Sequence, residues 1–153
     1  MGEVRFTAEI AASLTDVFAA HVDGPRIPEW FPGVVAIEDQ SGPLDRTGAT
    51  YRLRFNSLIA SRCEVVAADP PRLHVRTWDA RPIGTHGKAT MRFFEEGAGR
   101  TRVDFHATYR LPFGPIGRLA GRLPGVRNRA ERDMRREIDS FKDFAERGAR
   151  SPG

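Results

Sequence analysis

The stretch THGKATMRFFEEGAGRTRVDFHATYRL, residues 85–111, decides the fold of this chain. Apolar and polar side chains alternate along residues 85–95 and again along residues 101–111, which is typical of half-buried strands. Between these segments, Glu-Gly-Ala-Gly at residues 96–99 is typical of a hairpin turn. The sequence therefore predicts two long antiparallel strands joined by a short turn.

One face of this predicted hairpin is apolar. Met91 and Phe93 fall on the same side of the first strand, and Phe105 and Tyr109 fall on the same side of the second. The positions between them, including His106, are mostly polar and are expected to face water. The hairpin therefore needs a partner that covers its apolar face.

The segments upstream of the hairpin repeat the strand pattern at short spacing. A helix is predicted from the N-cap Ser13, and a short helical turn is predicted at residues 27–31. The other strands are predicted at residues 4–10, 34–39, 48–55, 57–68 and 73–78. Because no helix separates the last six strands, they are expected to form an antiparallel meander.

Downstream of Pro115 the apolar period becomes helical. Pro124 is expected to kink this segment or to split it into a short helix and a long one. The apolar stripe comprises Ile116, Leu119, Leu123, Val126, Ala130, Met134, Ile138, Phe141 and Ala145. Since the sheet is the only large surface that can bury this stripe, the sequence predicts an α+β fold. In it, a curved antiparallel sheet of about seven strands wraps a long C-terminal helix.

The composition is that of an ordinary globular protein, with 153 residues, 40% hydrophobic residues and a formal net charge of +4. We expect one domain at residues 1–148 and a flexible tail at residues 149–153. The single cysteine, Cys63, excludes an intramolecular disulfide and is expected to be a buried, unreactive thiol. Without an apolar signal core or a membrane-spanning run, the chain is expected to be cytoplasmic.

The four histidines lack the spacing of metal ligands, and neither a metal site nor a cofactor is predicted. His74 and His106 are expected to lie on outward faces of their strands. His86 precedes the sixth strand and is the histidine expected at a pocket rim.

Several short strings resemble the START-like or Bet v 1-like (SRPBCC) helix-grip superfamily, in particular its bacterial members of the polyketide cyclase/dehydrase type. They are SLTDVF at 13–18, IPEWFPG at 27–33, GATY at 48–51, DPPRL at 69–73 and GRTRV at 99–103. The resemblance covers residues 3–147. It implies an internal cavity for a small hydrophobic molecule such as a lipid, a quinone or a polyketide, with catalysis in a minority of members.

Residues on the apolar faces are the candidate walls of that cavity, and Trp30 and Phe31 are candidates for a lid over its mouth. The candidate ligand-binding residues are Trp30, Phe31, Tyr51, Phe55, Trp78, His86, Met91, Phe93, Phe105, Tyr109, Leu119 and Leu123. The alternative interpretation is that these side chains only fill the core.

Three functional hypotheses stay open. The first is a binder of a small hydrophobic molecule. The second is a cyclase or dehydratase acting on a carbonyl substrate, which needs an arginine, tyrosine or histidine inside the cavity. Arg62 would serve only if a bulge near Asn56 turned it inward, and the alternation places it outward.

The third hypothesis is contact with an anionic membrane or an acidic partner through basic residues near the C-terminal helix. The residues concerned are Arg118, Arg122, Arg127 and Arg129. No nucleic-acid partner is expected, and the sequence does not determine the oligomeric state.

Overall fold

The computed structural model describes residues 2–112 and 114–150, with the side chain of Arg118 excepted. The strands of this part of the chain are β1 (Gly2–Ile10), β2 (Ala36–Glu38), β3 (Thr50–Arg54), β4 (Ala60–Asp69), β5 (Leu73–Arg81), β6 (Thr85–Gly97) and β7 (Arg100–Arg110). They form one antiparallel sheet in the order β1-β7-β6-β5-β4-β3-β2. The helices are α1 (Leu14–Val22), a 3-10 helix (Gly24–Glu29), α2 (Gly114–Ala120) and α3 (Pro124–Arg150).

The first helix begins where the sequence predicts it. The Ser13 hydroxyl oxygen accepts a hydrogen bond from the Asp16 backbone N–H at 3.2 Å, which satisfies one of the free donors at the start of α1. Phe18 of α1 then packs edge-on against Phe93 of β6, with ring centroids 5.3 Å apart. These contacts hold α1 against one end of the sheet.

The long helix α3 packs against β1 and α1 through the face predicted to be apolar. Ile138, Phe141 and Ala145 of the predicted stripe are buried, as is Phe144 beside them. The Ser140 hydroxyl donates a hydrogen bond to the Trp30 carbonyl oxygen, which joins α3 to the segment that follows the 3-10 helix. The predicted fold, a curved antiparallel sheet around a long C-terminal helix, is confirmed.

The register shift in the pairing of β4 with β5 lies beyond Arg62, so it does not change the direction of that side chain. The pairing of β4 with β5 shifts register between Val65 and Ala67, and not near Asn56. The residues before Val65 therefore keep their alternation, and Arg62 is exposed on the outer face of the sheet.

The predicted break at Pro124 is also present, since α3 begins at that residue after a turn at residues 121–123. The helix then continues to Arg150, so the first two residues of the expected tail 149–153 are helical. Residues 151–153 lie outside the described residues. No helix in the described part of the chain has the length and hydropathy needed to cross a membrane.

Candidate ligand cavity

A cavity of about 320 Å³ lies between the inner face of the sheet and α3. Its lining residues are Phe31, Leu53, Phe55, Ser61, Arg76, Trp78, Ala80, Thr85, Ala89, Phe105, Tyr109, Leu111, Ala130, Asp133, Met134 and Glu137. Most of these side chains are apolar, and they come from five strands, the adjoining loops and the helix. The cavity therefore combines a hydrophobic wall with a small number of placed polar groups, the usual composition of a small-molecule site.

The aromatic wall follows from the alternation of the strands. Trp78, Ala89, Phe105 and Tyr109 occupy inward positions on β5, β6 and β7. Gly87 pairs with Trp78 across β5 and β6, and a Cβ atom at Gly87 would lie 2.6 Å from the Trp78 ring. Because glycine has no Cβ, the indole of Trp78 can lie close to the sheet beside the cavity.

A buried ion pair forms the polar part of the wall. Nη2 of Arg76 on β5 donates to Oε2 of Glu137 on α3 at 3.0 Å, and the two side chains are only 9% and 10% exposed. The Arg76 guanidinium carbon also lies 5.2 Å from the centroid of the Phe31 ring. The pair thus connects the sheet to the helix across the cavity wall.

The two partners of this pair keep each other charged. Burial raises the pKa of Glu137, and the Arg76 guanidinium opposes that shift. Burial disfavours the charge of Arg76, but the Glu137 carboxylate together with nearby Tyr51 and Cys63 outweighs this effect and raises the pKa of Arg76. A neutral Glu137 would leave a buried guanidinium without a counter-charge, so the pair is ionised near neutral pH.

A sequence model of the family described as polyketide cyclase / dehydrase and lipid transport matches residues 1–146. The chain belongs to this family. No curated protein sequence matches the chain.

Solved structures share the fold of this family member. An aromatase/cyclase from Streptomyces sp. R1128 is 20% identical with a TM-score of 0.69, and the match covers 95% of this chain and 93% of that one. A START superfamily protein from Mycobacterium smegmatis is 16% identical with a TM-score of 0.70, with 96% and 99% covered. At these identities the likeness concerns the fold.

A third structure is a protein from the dynemicin biosynthetic locus, DynU16, which is 19% identical with a TM-score of 0.71. The match covers 97% of this chain but 49% of the other, so the chain spans about half the length of that protein.

The cavity of this polyketide cyclase / dehydrase family member contains five of the predicted wall residues. They are Phe31, Phe55, Trp78, Phe105 and Tyr109. Four others, Trp30, Tyr51, Met91 and Phe93, are buried in the core and do not line the cavity. For these four, the structure agrees with the core-filling interpretation.

Three predicted wall residues lie away from the cavity. His86 is exposed on the outer face of β6, because the neighbouring position, Gly87, faces inward. Leu119 and Leu123 are 69% and 58% exposed. The sequence analysis placed both leucines on the same apolar stripe as the residues of α3. The turn before Pro124 separates them from the buried face of α3.

Sequence reasoning missed Arg76 and Glu137 and misplaced His74. His74 was expected on an outward face, but it is 2% exposed on the inner face of β5. The segment from Leu73 to Trp78 alternates apolar and polar residues, which suggested that the polar set faces water. Trp78, however, shares its face of the strand with Arg76 and His74. Because Trp78 was predicted to face inward, the same alternation could have placed both polar residues on the inner face.

His74 takes part in a buried histidine pair that joins β5 to α1. Nε2 of His74 lies 2.9 Å from the Leu44 carbonyl oxygen, so this nitrogen carries the proton. Nδ1 of His74 then accepts from Nε2–H of His21 at 3.2 Å. Among the described residues, Nδ1 of His21 is left without a hydrogen-bond partner, as is Nε1 of Trp30.

Both histidines are neutral near pH 7. Burial, together with neighbouring His74 and Arg76, lowers the pKa of His21 well below its usual range. Burial lowers the pKa of His74 to about 4, although its hydrogen bond to Leu44 opposes the shift. The pair lines a separate void of about 10 Å³ behind Arg76. It therefore belongs to the packing beneath the cavity and has no contact with the cavity space itself.

The structure activates neither the single cysteine nor, in the described part of the chain, a metal centre. Cys63 is buried, and burial raises the pKa of its thiol, so it is a poor nucleophile as the sequence predicted. Among the described residues, no cluster of three or more histidine, cysteine, aspartate or glutamate side chains could hold a metal ion.

Proposed function

We propose that the protein binds a small, uncharged, largely aromatic molecule in the cavity between the sheet and α3. Quinones and polyketide-like ring systems are of this chemical class. The observation that carries the proposal is an apolar cavity of about 320 Å³ whose buried arginine is already paired with a carboxylate. Ligand pockets in proteins begin at about 300 Å³, so the cavity suits a compact ligand.

The charges around the cavity favour a neutral ligand over an anionic one. Arg76 and Glu137 balance each other inside the wall. Asp133, one helical turn before Glu137, adds an exposed carboxylate at the rim. A ligand carboxylate would meet Asp133 and would have to compete with Glu137 for the guanidinium. A carbonyl or hydroxyl oxygen can instead accept from the remaining N–H groups of Arg76 without disturbing the pair.

Catalysis in the same cavity is the second candidate function, and the presence of Arg76 in the wall favours it. A guanidinium next to a ligand carbonyl would stabilise negative charge that develops on the oxygen during a cyclisation or dehydration. Glu137 is a carboxylate within the same wall that could accept a proton. Conversion of a bound carbonyl compound, followed by mass spectrometry and lost in Arg76→Met, would distinguish an enzyme from a binder.

The binding proposal is tested with 1-aminoanthracene, a neutral three-ring fluorophore, in vesicle-free buffer. We expect saturable binding with a rise in fluorescence. Ala89 is 1% exposed on the cavity wall, so Ala89→Phe places a ring in the space that the ligand needs. We expect this variant to bind the fluorophore at least about tenfold more weakly, which corresponds to a loss of about 1.4 kcal/mol.

The matched control is Ala36→Phe, which adds the same ring on β2, away from the cavity, and should leave the affinity unchanged. Thermal unfolding of both variants establishes that they are folded. If Ala89→Phe does not fold, Ala130→Phe on the opposite wall serves the same purpose. No binding by the wild type, or equal binding by all variants, would rule out the proposal.

A further inference from the structure

Three large aliphatic side chains just before the start of α3 are exposed to solvent. Ile116, Leu119 and Leu123 are 75%, 69% and 58% exposed. Their spacing of three and then four residues places them on one side of a helical segment. Hydrogen bonds from the N–H groups of residues 121–123 to the carbonyls of 117, 119 and 120 continue the helical turn beyond α2. An apolar strip of this kind is characteristic of a contact surface.

The same segment is basic and free of acidic residues. Residues 105–130 contain five arginines and neither aspartate nor glutamate. Arg122, Arg127 and Arg129 are exposed and form no ion pair among the residues that the structure describes. The side chain of Arg118 lies outside the described residues. Exposed apolar and positively charged side chains thus lie within one short segment of the chain.

We propose that this surface, Ile116, Leu119, Leu123, Arg122, Arg127 and Arg129, docks on an anionic lipid bilayer. It is called the α2 surface below. In such docking the aliphatic side chains enter the boundary between headgroups and acyl chains, while the arginines contact lipid phosphates. The mixture of the two side-chain types is what the interfacial region of a bilayer accommodates.

The composition of this surface argues against two other occupants, a second copy of the chain and a nucleic acid. A second copy of the chain packed through the same surface would bring its arginines against like charges. A nucleic acid would neutralise the arginines but offers no apolar phase for three aliphatic side chains. An anionic bilayer satisfies both components at once.

The place of the α2 surface in the chain suggests a role for docking in ligand exchange. Leu111 and Ala130 line the cavity, and they flank the α2 surface in the sequence on either side. A hydrophobic molecule partitions into lipid, so docking through the segment between these two wall residues would let the cavity exchange ligand with the membrane. Docking itself does not depend on what the cavity binds.

The test is co-sedimentation of the full chain with two kinds of vesicle. One is pure phosphatidylcholine and the other contains about one third phosphatidylglycerol. We expect binding to the anionic vesicles that weakens as salt rises. Ile116→Ser combined with Leu119→Ser should reduce binding at least about tenfold. Arg122→Gln combined with Arg127→Gln should reduce it at least about tenfold as well, because each arginine near an anionic surface contributes about fivefold.

Matched controls exist elsewhere on the surface. Val35→Ser with Leu58→Ser removes two aliphatic side chains that are 65% and 80% exposed. Arg62→Gln with Arg92→Gln removes two exposed arginines from the outer face of the sheet. Both control pairs should bind anionic vesicles like the wild type. All variants should retain their affinity for 1-aminoanthracene in vesicle-free buffer, which separates this test from that of the cavity.

Three results would overturn the proposal. The first is an absence of vesicle binding, and the second is equal binding to neutral and anionic vesicles. The third is a dimer, detected by light scattering, that the Ile116→Ser and Leu119→Ser pair abolishes, since the surface would then be an interface between copies.

Discussion

At the scale of single residues, the Arg76–Glu137 pair has an energetic role as well as a chemical one. Both side chains are about one-tenth exposed, so each charge depends on the other for compensation. Removing one partner of a buried pair leaves a desolvated charge and typically costs 3–5 kcal/mol. The same dependence makes the pair a determinant of which ligand charge the cavity tolerates.

Glu137→Gln tests this determinant, because it keeps the side-chain size and removes the negative charge. With Arg76 no longer balanced, we expect the affinity for 2-naphthoate to rise about tenfold relative to that for naphthalene-2-methanol. The free energy of unfolding should fall by about 3 kcal/mol. Titration calorimetry and urea denaturation measure the two effects.

Asp133→Asn is the matched control, since it removes an exposed carboxylate one helical turn away. It should change the unfolding free energy by less than about 0.5 kcal/mol. A wild-type protein that already prefers the naphthoate would contradict the assignment of a neutral ligand.

The residue scale is also where sequence reasoning was least complete. Alternation placed Trp78, Phe105 and Tyr109 at the cavity because apolar residues face inward on a half-buried strand. It could not place Arg76, because that rule sends polar residues outward. An inward arginine is stable only with a partner, and its partner Glu137 lies 61 residues away on another element. Pairing at that distance is a property of the tertiary structure.

At the scale of elements, the junction of α1 with β5 depends on the His21–His74 pair. The His21 ring contacts Trp30, Phe93 and Phe141, with ring centroids 5.4–6.0 Å away. Arg76 on β5 adds positive charge next to this ring. Burial and the Arg76 charge therefore disfavour a proton on both histidines, and at His74 they outweigh the Asp45 carboxylate.

This junction predicts a loss of stability in acid. The pKa of His74 is about 4 in the folded protein against 6.5 for an unperturbed histidine, so the unfolded chain binds more protons between these pH values. The stabilising contribution of neutral His74 is fully present above about pH 6.5. The free energy of unfolding falls by about 3 kcal/mol as the pH drops to about 4. His21 shifts in the same direction and adds to the loss.

Urea denaturation across this pH range measures the slope. His21→Phe keeps an aromatic ring in the cluster and removes one titrating group, so its stability should depend less steeply on pH. His86→Gln changes an exposed histidine that forms no ion pair in the described part of the chain and should leave the slope unchanged. A flat profile for the wild type would show that the pair is not neutral in the folded state.

The element scale also explains why Leu119 and Leu123 were misassigned. Their apolar spacing continues that of α3, and spacing alone predicts burial. The break at Pro124 was predicted, but a sequence pattern does not give the direction in which a helix continues after a break. The number of strands and the meander of the last six were predictable, because each strand carries its own alternation and turn residues. The pairing of β1 with β7 is a long-range contact that no local pattern predicts.

At the scale of the whole molecule, two residues of the cavity wall, Leu111 and Ala130, flank the α2 surface in the sequence, and the two proposals together predict ligand exchange with membranes. A protein that docks on anionic lipid beside its own cavity should carry a hydrophobic molecule between bilayers faster than the molecule crosses water alone. The rate of 1-aminoanthracene transfer from donor vesicles to acceptor vesicles containing a fluorescence quencher measures this directly.

The variants separate the two contributions to transfer. Ile116→Ser with Leu119→Ser should slow transfer at least about fivefold while keeping affinity in vesicle-free buffer, because about 1 kcal/mol of surface binding corresponds to that factor. Ala89→Phe should slow transfer by removing the space for the ligand, although it still docks. If Ala89→Phe transferred the fluorophore as fast as the wild type, the molecule would be moving along the protein surface and the cavity would not be its carrier.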